Sequence, residues 1–267
     1  MRGWRYLPFA LLLLAGCSTV QNRAVDDQTG QEGRASQEGR ASQASDERAD
    51  IYTNLAVSYL RQNRLSIALQ EGKKAISADP KNANAQNAMA LIYQRLGQNS
   101  LAEKHFKQAI VLDKHNYYAL NAYGSYLCQL RRYSEAYVQF DNAVKNPLNQ
   151  SKEVAFANAG ICAYSDNDRD KSENYLRSAL TVNGRHAPAL AQMAELSYDR
   201  GDYQAARDYL ARYANVASHT ASTLWAGVRV ERRLGNKKAE AQYAKLLRKQ
   251  YPDSQQVRVL REMGKKG

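Results

Sequence analysis

From Asp50 onward the chain repeats itself every 34 residues. Tyr52, Leu55, Ala56, Tyr59, Ala68, Gly72, Ala75 and Pro80 mark the first unit. A shift of 34 places Gln86, Met89, Ala90, Tyr93, Ala102, Phe106, Ala109 and Lys114 in the same slots. The next shift gives Leu120, Tyr123, Gly124, Leu127, Ala136, Phe140 and Ala143, with Pro147 one residue early. The register then slips by two, which predicts a longer turn around 147–151. A fourth unit holds Phe156, Ala159, Gly160, Leu176 and Ala179, and a fifth Leu190, Met193, Ala194, Ala206 and Leu210. The sixth is looser, with Leu224, Gly227, Gly235, Ala239, Tyr243 and Pro252. Within each unit the apolar residues keep helical spacing, the turns are short and polar, and no segment reads as a strand. Two small residues per unit let antiparallel helices approach closely, and the large residues fill the groove to the next unit. One helix pair cannot bury its own apolar face, so the units must stack into a continuous core.

A unit of this length, built from two helices, matches the tetratricopeptide repeat. The expected fold is therefore all-α, a tetratricopeptide-repeat superhelix of about six helix-turn-helix repeats over 49–253. Residues 254–267 should add a terminal helix, Val257–Met263, covering the last repeat.

The N-terminus carries a different message. Arg2 and Arg5 precede an apolar run, Leu7–Leu14, too short for a bilayer span of roughly 20 residues. A basic start, an apolar stretch and small residues describe an export signal over 1–16. Leu14-Ala15-Gly16-Cys17 resembles a bacterial lipobox, which implies cleavage before Cys17 and acylation of its thiol and amine. Three acyl chains exceed what stable membrane attachment needs. Ser18, where aspartate would favour inner-membrane retention, implies by the same resemblance the periplasmic face of the outer membrane. Residues 17–48 then form the lipidated cysteine and a linker almost free of large apolar side chains, in which Gln-Glu-Gly-Arg-Ala-Ser occurs twice, at 31–36 and 37–42. Such a segment is expected to be a disordered spacer.

The sequence offers no catalytic pattern. It lacks a Gly-rich phosphate loop, Cys-x-x-Cys, His-Glu-x-x-His and Gly-x-Ser-x-Gly. The histidines at 105, 115, 186 and 219 are scattered along the repeats. Asp166, Asp168 and Asp170 have the order of a calcium loop but lack its glycine and distal glutamate, and read as a helix-capping turn. Asp79 and Asp113 read as helix-end residues. We therefore expect no enzyme, no cofactor and no metal. The precursor's net charge of +12 falls to +10 without Arg2 and Arg5, an excess that suits an anionic partner or lipid surface. Nucleic acid is not an expected partner for an exported chain with dispersed basic residues.

Cys128 and Cys162 lie late in the first helices of repeats three and four, side by side at comparable heights. They suit a disulfide in an oxidising compartment, or two buried thiols acting as small hydrophobes; the disulfide is the favoured reading.

A resemblance becomes specific at Asn121-Ala-Tyr-Gly-Ser-Tyr-Leu-Cys128, Asn158-Ala-Gly-Ile-Cys-Ala163, Met193-Ala-Glu-Leu-Ser-Tyr-Asp-Arg-Gly-Asp-Tyr203 and Leu224-Trp-Ala-Gly-Val-Arg-Val-Glu-Arg-Arg-Leu-Gly-Asn236. These segments are similar to the PilF/PilW family of outer-membrane lipoproteins in type IV pilus biogenesis. The resemblance implies a bridge between the two cysteines. It also implies a pilotin, which binds secretin subunits and promotes their outer-membrane targeting and multimer assembly. The tandem hexapeptide is not part of that pattern. By repeat geometry, partner-binding residues on the concave side should be Thr53, Val57, Leu60, Asn84, Asn87, Leu91, Gln94, Tyr118, Asn121 and Ser125. Trp225 is better placed for core packing at repeat six than for binding, and no clamp for a C-terminal carboxylate is expected. The chain is expected to be monomeric. The alternative function is an outer-membrane lipoprotein scaffold that activates a periplasmic peptidoglycan synthase.

Overall fold

The computed structural model describes residues 28–265, and the side-chain surroundings of 43–263. The signal peptide, Cys17 and the linker up to residue 27 lie outside the described residues. Packing divides the chain into a unit of 1–43 and a unit of 44–267. The described backbone is helical throughout, with turns between: α1 (Gln28–Arg61), α2 (Leu65–Ala78), α3 (Ala83–Arg95), α4 (Asn99–Leu112), α5 (Tyr117–Gln129), α6 (Tyr133–Lys145), α7 (Lys152–Ser165), α8 (Arg169–Val182), α9 (Ala187–Asp199), α10 (Tyr203–Ala214), α11 (Ala221–Arg233), α12 (Lys237–Gln250) and α13 (Gln255–Lys265). From Ala44 the helices alternate as first and second members of six antiparallel pairs, and α13 follows the last. The fold is a tetratricopeptide-repeat superhelix.

The turn inside each pair fixes the repeat. One residue in each adopts positive φ: Asn63, Gly97, Arg131, Asn167, Gly201 and Gly235. Successive members are 34 apart, except for 36 between Arg131 and Asn167. That exception is the two-residue slip read in the sequence. It arises in the turn 146–151, six residues where 113–116 has four. Two buried asparagines hold the longer turn: Asn146 Nδ2 donates to the His115 carbonyl at 2.5 Å, and Asn149 Nδ2 to that of Ala143 at 2.9 Å.

The core sits at the repeat's small and large slots. Phe106, Tyr123, Tyr126 and Phe140 form its aromatic centre beside Leu127, with Ala90, Ala102 and Ala136 giving the close approaches. A Cβ on Gly124 would come within 2.8 Å of the Phe140 ring, which is why that slot holds no side chain. Trp225 packs beside Leu224, Val228, Leu247 and the α13 residues Val257 and Leu260.

Asp168 caps α8, its Oδ1 accepting from Lys171 N at 2.9 Å. Asp79 and Asp113 end α2 and α4.

One expectation needs correction. The spacer is expected to be disordered over 17–48, yet α1 begins at Gln28. Gln, Glu, Ala and Arg favour helix even where no apolar face demands it.

Candidate concave groove

The first helices of neighbouring repeats lie side by side, so positions spaced along α1, α3 and α5 converge on one surface. Asp50, Thr53, Asn54, Val57 and Arg61 from α1, Asn84, Asn87, Ala88 and Leu91 from α3, and Tyr118 from α5 line a groove of about 540 Å³. Six of the ten residues expected on the concave side meet there: Thr53, Val57, Asn84, Asn87, Leu91 and Tyr118. Val57 and Leu91 supply apolar floor, and Tyr118, its ring centroid 4.3 Å from that of Tyr117, is 60% exposed. Thr53 contributes little surface, because it is buried and its hydroxyl donates to the Ala49 carbonyl at 2.7 Å.

The amides are partly committed to each other. Asn116 Nδ2 donates to Asn84 Oδ1 at 2.8 Å, Asn158 Nδ2 to Asn121 Oδ1 at 3.0 Å, and Asn82 Nδ2 to Asp50 Oδ1 at 2.9 Å. These bonds join first helices of adjacent repeats and fix their spacing. Asn87 differs. Its Oδ1 is shielded and, among the described residues, has no donor. A shielded carbonyl oxygen without a donor is costly.

The remaining expected residues lie elsewhere. Leu60 belongs to the core, packed with Ala56, Ala68, Met89 and Ile92, because its side chain turns toward the second helix of the pair. Gln94 Nε2 donates to Gln129 Oε1 at 2.7 Å, outside the groove. Asn121 shares a small pocket with Tyr117, Tyr118 and Val154. Ser125 lies by Cys128 and Cys162, which the structure joins, with Cα atoms 5.8 Å apart.

Ion pairs that the sequence reading missed tie successive repeats together. Arg132 meets both Glu103 and Glu135. Hydrogen bonds from Lys107, then from Arg132 and Tyr123, hold the Glu103 carboxyl down to about 2 against the opposing effect of burial. Arg229 pairs with Glu195 and lies 4.6 Å from the Tyr198 ring centroid. Arg207 pairs with Glu231, itself buried. Arg207 and Arg132 lie 24 and 29 residues from their partners, off the repeat period, whereas Glu195 and Arg229 occupy equivalent slots one 34-residue period apart, outside the core pattern. Burial pushes the imidazoles of His105, His186 and His219 below the usual histidine range.

Comparison with known proteins agrees with this architecture. Models described as tetratricopeptide repeat match residues 49–82 and 72–104. The type IV pilus assembly protein PilF of Pseudomonas aeruginosa is 29% identical over 210 residues, covering 78% of this chain and 83% of that protein. The solved structure of P. aeruginosa PilF superposes with a TM-score of 0.72 at 27% identity, over 82% of this chain and 99% of that one. This chain is similar to PilF over most of both lengths. The structure of PilW, described as a widely conserved type IV pilus biogenesis factor, gives a TM-score of 0.71 at 29% identity, over 79% of this chain and 97% of that one. A tetratricopeptide-repeat protein of Parabacteroides merdae, 20% identical with a TM-score of 0.61, shares the fold alone. The PilF/PilW-like likeness thus spans nearly the whole of both relatives' solved chains and includes the groove-forming repeats.

Proposed function

We propose that this chain serves type IV pilus biogenesis as a pilotin: a binding protein that captures secretin subunits and promotes their targeting to, and multimer assembly in, the outer membrane. Similarity to PilF and PilW over 82% and 79% of this chain carries the reading, because it extends far beyond one repeat's consensus. The groove supplies the physical means. An extended segment can lay apolar side chains on Val57 and Leu91 and stack against Tyr118. Nothing in that sequence of contacts makes or breaks a covalent bond. Acylation of Cys17 would hold the solenoid at the periplasmic face of the outer membrane, raising its concentration where secretin must assemble. Covering an exposed strand edge or apolar segment of secretin would suppress its aggregation before insertion.

The direct test is binding of purified secretin to the full chain and to Leu91→Asp and Asn87→Ala variants. We expect about tenfold or greater weakening for Leu91→Asp, which puts a charge on the apolar floor, and a smaller loss for Asn87→Ala. Unchanged affinity in both variants would remove the groove from the account. Radiolabelled acyl incorporation that persists in Cys17→Ser would remove the anchor.

A further inference from the structure

In a stacked solenoid each repeat covers the next, so among the described residues the first repeat keeps one face that no preceding repeat covers. Along α1, Arg48, Ile51, Tyr52 and Leu55 fall on one stripe at helical spacing. The slots of Ile51 and Leu55 recur as Ala85 and Met89 in repeat two, where they are buried at 0% and 3% exposure. They recur again as buried Ala119 and Tyr123 in repeat three. On α1 the same slots hold apolar residues that are 58% exposed at Ile51 and 39% at Leu55. Arg48 and Tyr52 also border a shallow depression of about 540 Å³, completed on α2 by Gln70, Lys73, Lys74 and Ser77. Arg48, Lys73 and Lys74 are exposed. Of the nearby carboxylates, Glu71 is buried and held by Lys74 at 2.8 Å, while Glu47 is exposed on α1.

We infer that this end face docks on an anionic phospholipid surface. Ile51 and Leu55 enter the interfacial layer, and Arg48, Lys73 and Lys74 meet headgroup phosphates beside the Tyr52 ring. Apolar side chains next to a cluster of cations are the composition that interfacial binding selects. Charge complementarity favours a lipid surface over an apolar protein partner. So does position, because this is the repeat next to the chain's N-terminal end. That second argument rests on the proposed acylation of Cys17; the test below omits the lipid, so the two readings fail separately. Docking leaves the groove open, since Thr53, Asn54 and Val57 occupy a different face of α1.

The test uses the full chain in a Cys17→Ser background, with an environment-sensitive fluorophore on Ile51→Cys and, as control, on Val182→Cys, an exposed position on α8. Vesicles are phosphatidylglycerol mixed with phosphatidylethanolamine, or phosphatidylcholine alone. The dye at 51 should shift to the blue on the anionic vesicles only, and the dye at 182 on neither. Arg48→Gln and Lys73→Gln should each weaken the response about fivefold, with an unchanged melting curve. An equal shift on phosphatidylcholine overturns the role of the cations. No shift at 51 on anionic vesicles overturns the docking, and a shift produced only by purified secretin assigns the face to a protein.

Discussion

Arg131 shows how the repeat constrains single residues. Its slot requires positive φ, which glycine meets at Gly97, Gly201 and Gly235, and which Arg131 adopts at a cost of roughly 1–2 kcal/mol. Arg131→Gly should therefore raise stability by about 1 kcal/mol, a rise of roughly 2–4 °C in the midpoint of thermal unfolding. A fall would mean that Arg131 makes a contact worth more than its backbone cost. Glu103 sets a pH dependence at the same scale. Its folded pKa, about 2, lies below its ordinary value of 4.5, so the stabilisation is complete above pH 4.5. It is lost as pH falls toward 2. Melting curves across that range should be flatter for Glu103→Gln than for the parent chain; parallel curves would show that Glu103 does not contribute. These side chains were illegible in the sequence for a physical reason. A positive φ leaves no compositional trace when arginine occupies the slot, and a partner 29 residues away follows no helical period.

At the level of helices and turns, the periodic slots made the pairs legible because every repeat buries the same two faces. The longer turn 146–151 was legible as a break in that period. The start of α1 was not, since Gln28–Glu47 has no apolar stripe and helix propensity alone extends it. Of the expected groove, Leu60 failed because a twelfth helical position can turn inward as readily as outward, and the pattern does not distinguish them. The Cys128–Cys162 link joins α5 to α7 across the lengthened turn, so it holds the two first helices where the repeat is least regular. Reduction should cost about 4 kcal/mol by the chain-entropy argument, and thiol titration of the unreduced protein should find neither sulfur free. Equal melting temperatures with and without reductant would count against a stabilising bridge. The pair Arg207–Glu231 clips α10 to α11. Arg207→Ala leaves a buried carboxylate without its cation, and should destabilise the last repeats by roughly 2–3 kcal/mol in chemical unfolding. A change under about 0.5 kcal/mol, the range of an ordinary surface substitution, would mean that water replaces the arginine.

For the molecule as a whole, stability and function share one cause: no repeat stands alone. Stacking that buries Phe106, Phe140 and Leu176 also aligns α1, α3 and α5, and the groove exists only because those helices are held side by side. Six expected residues met in the groove because repeat geometry carries information from one unit to the next. What occupies it does not follow from periodicity. That depends on Tyr118 and the apolar floor, whose side chains the repeat pattern does not specify. The central claim is that this groove, held at the outer membrane, assembles secretin. The decisive measurement is an immunoblot of fractionated membranes for detergent-resistant secretin multimers, in cells with the gene, without it, and with Leu91→Asp in its place. The account predicts that multimers vanish without the gene while monomer persists, and that Leu91→Asp, present at normal level, restores few of them. Normal multimers in the outer membrane of cells lacking the gene would contradict it.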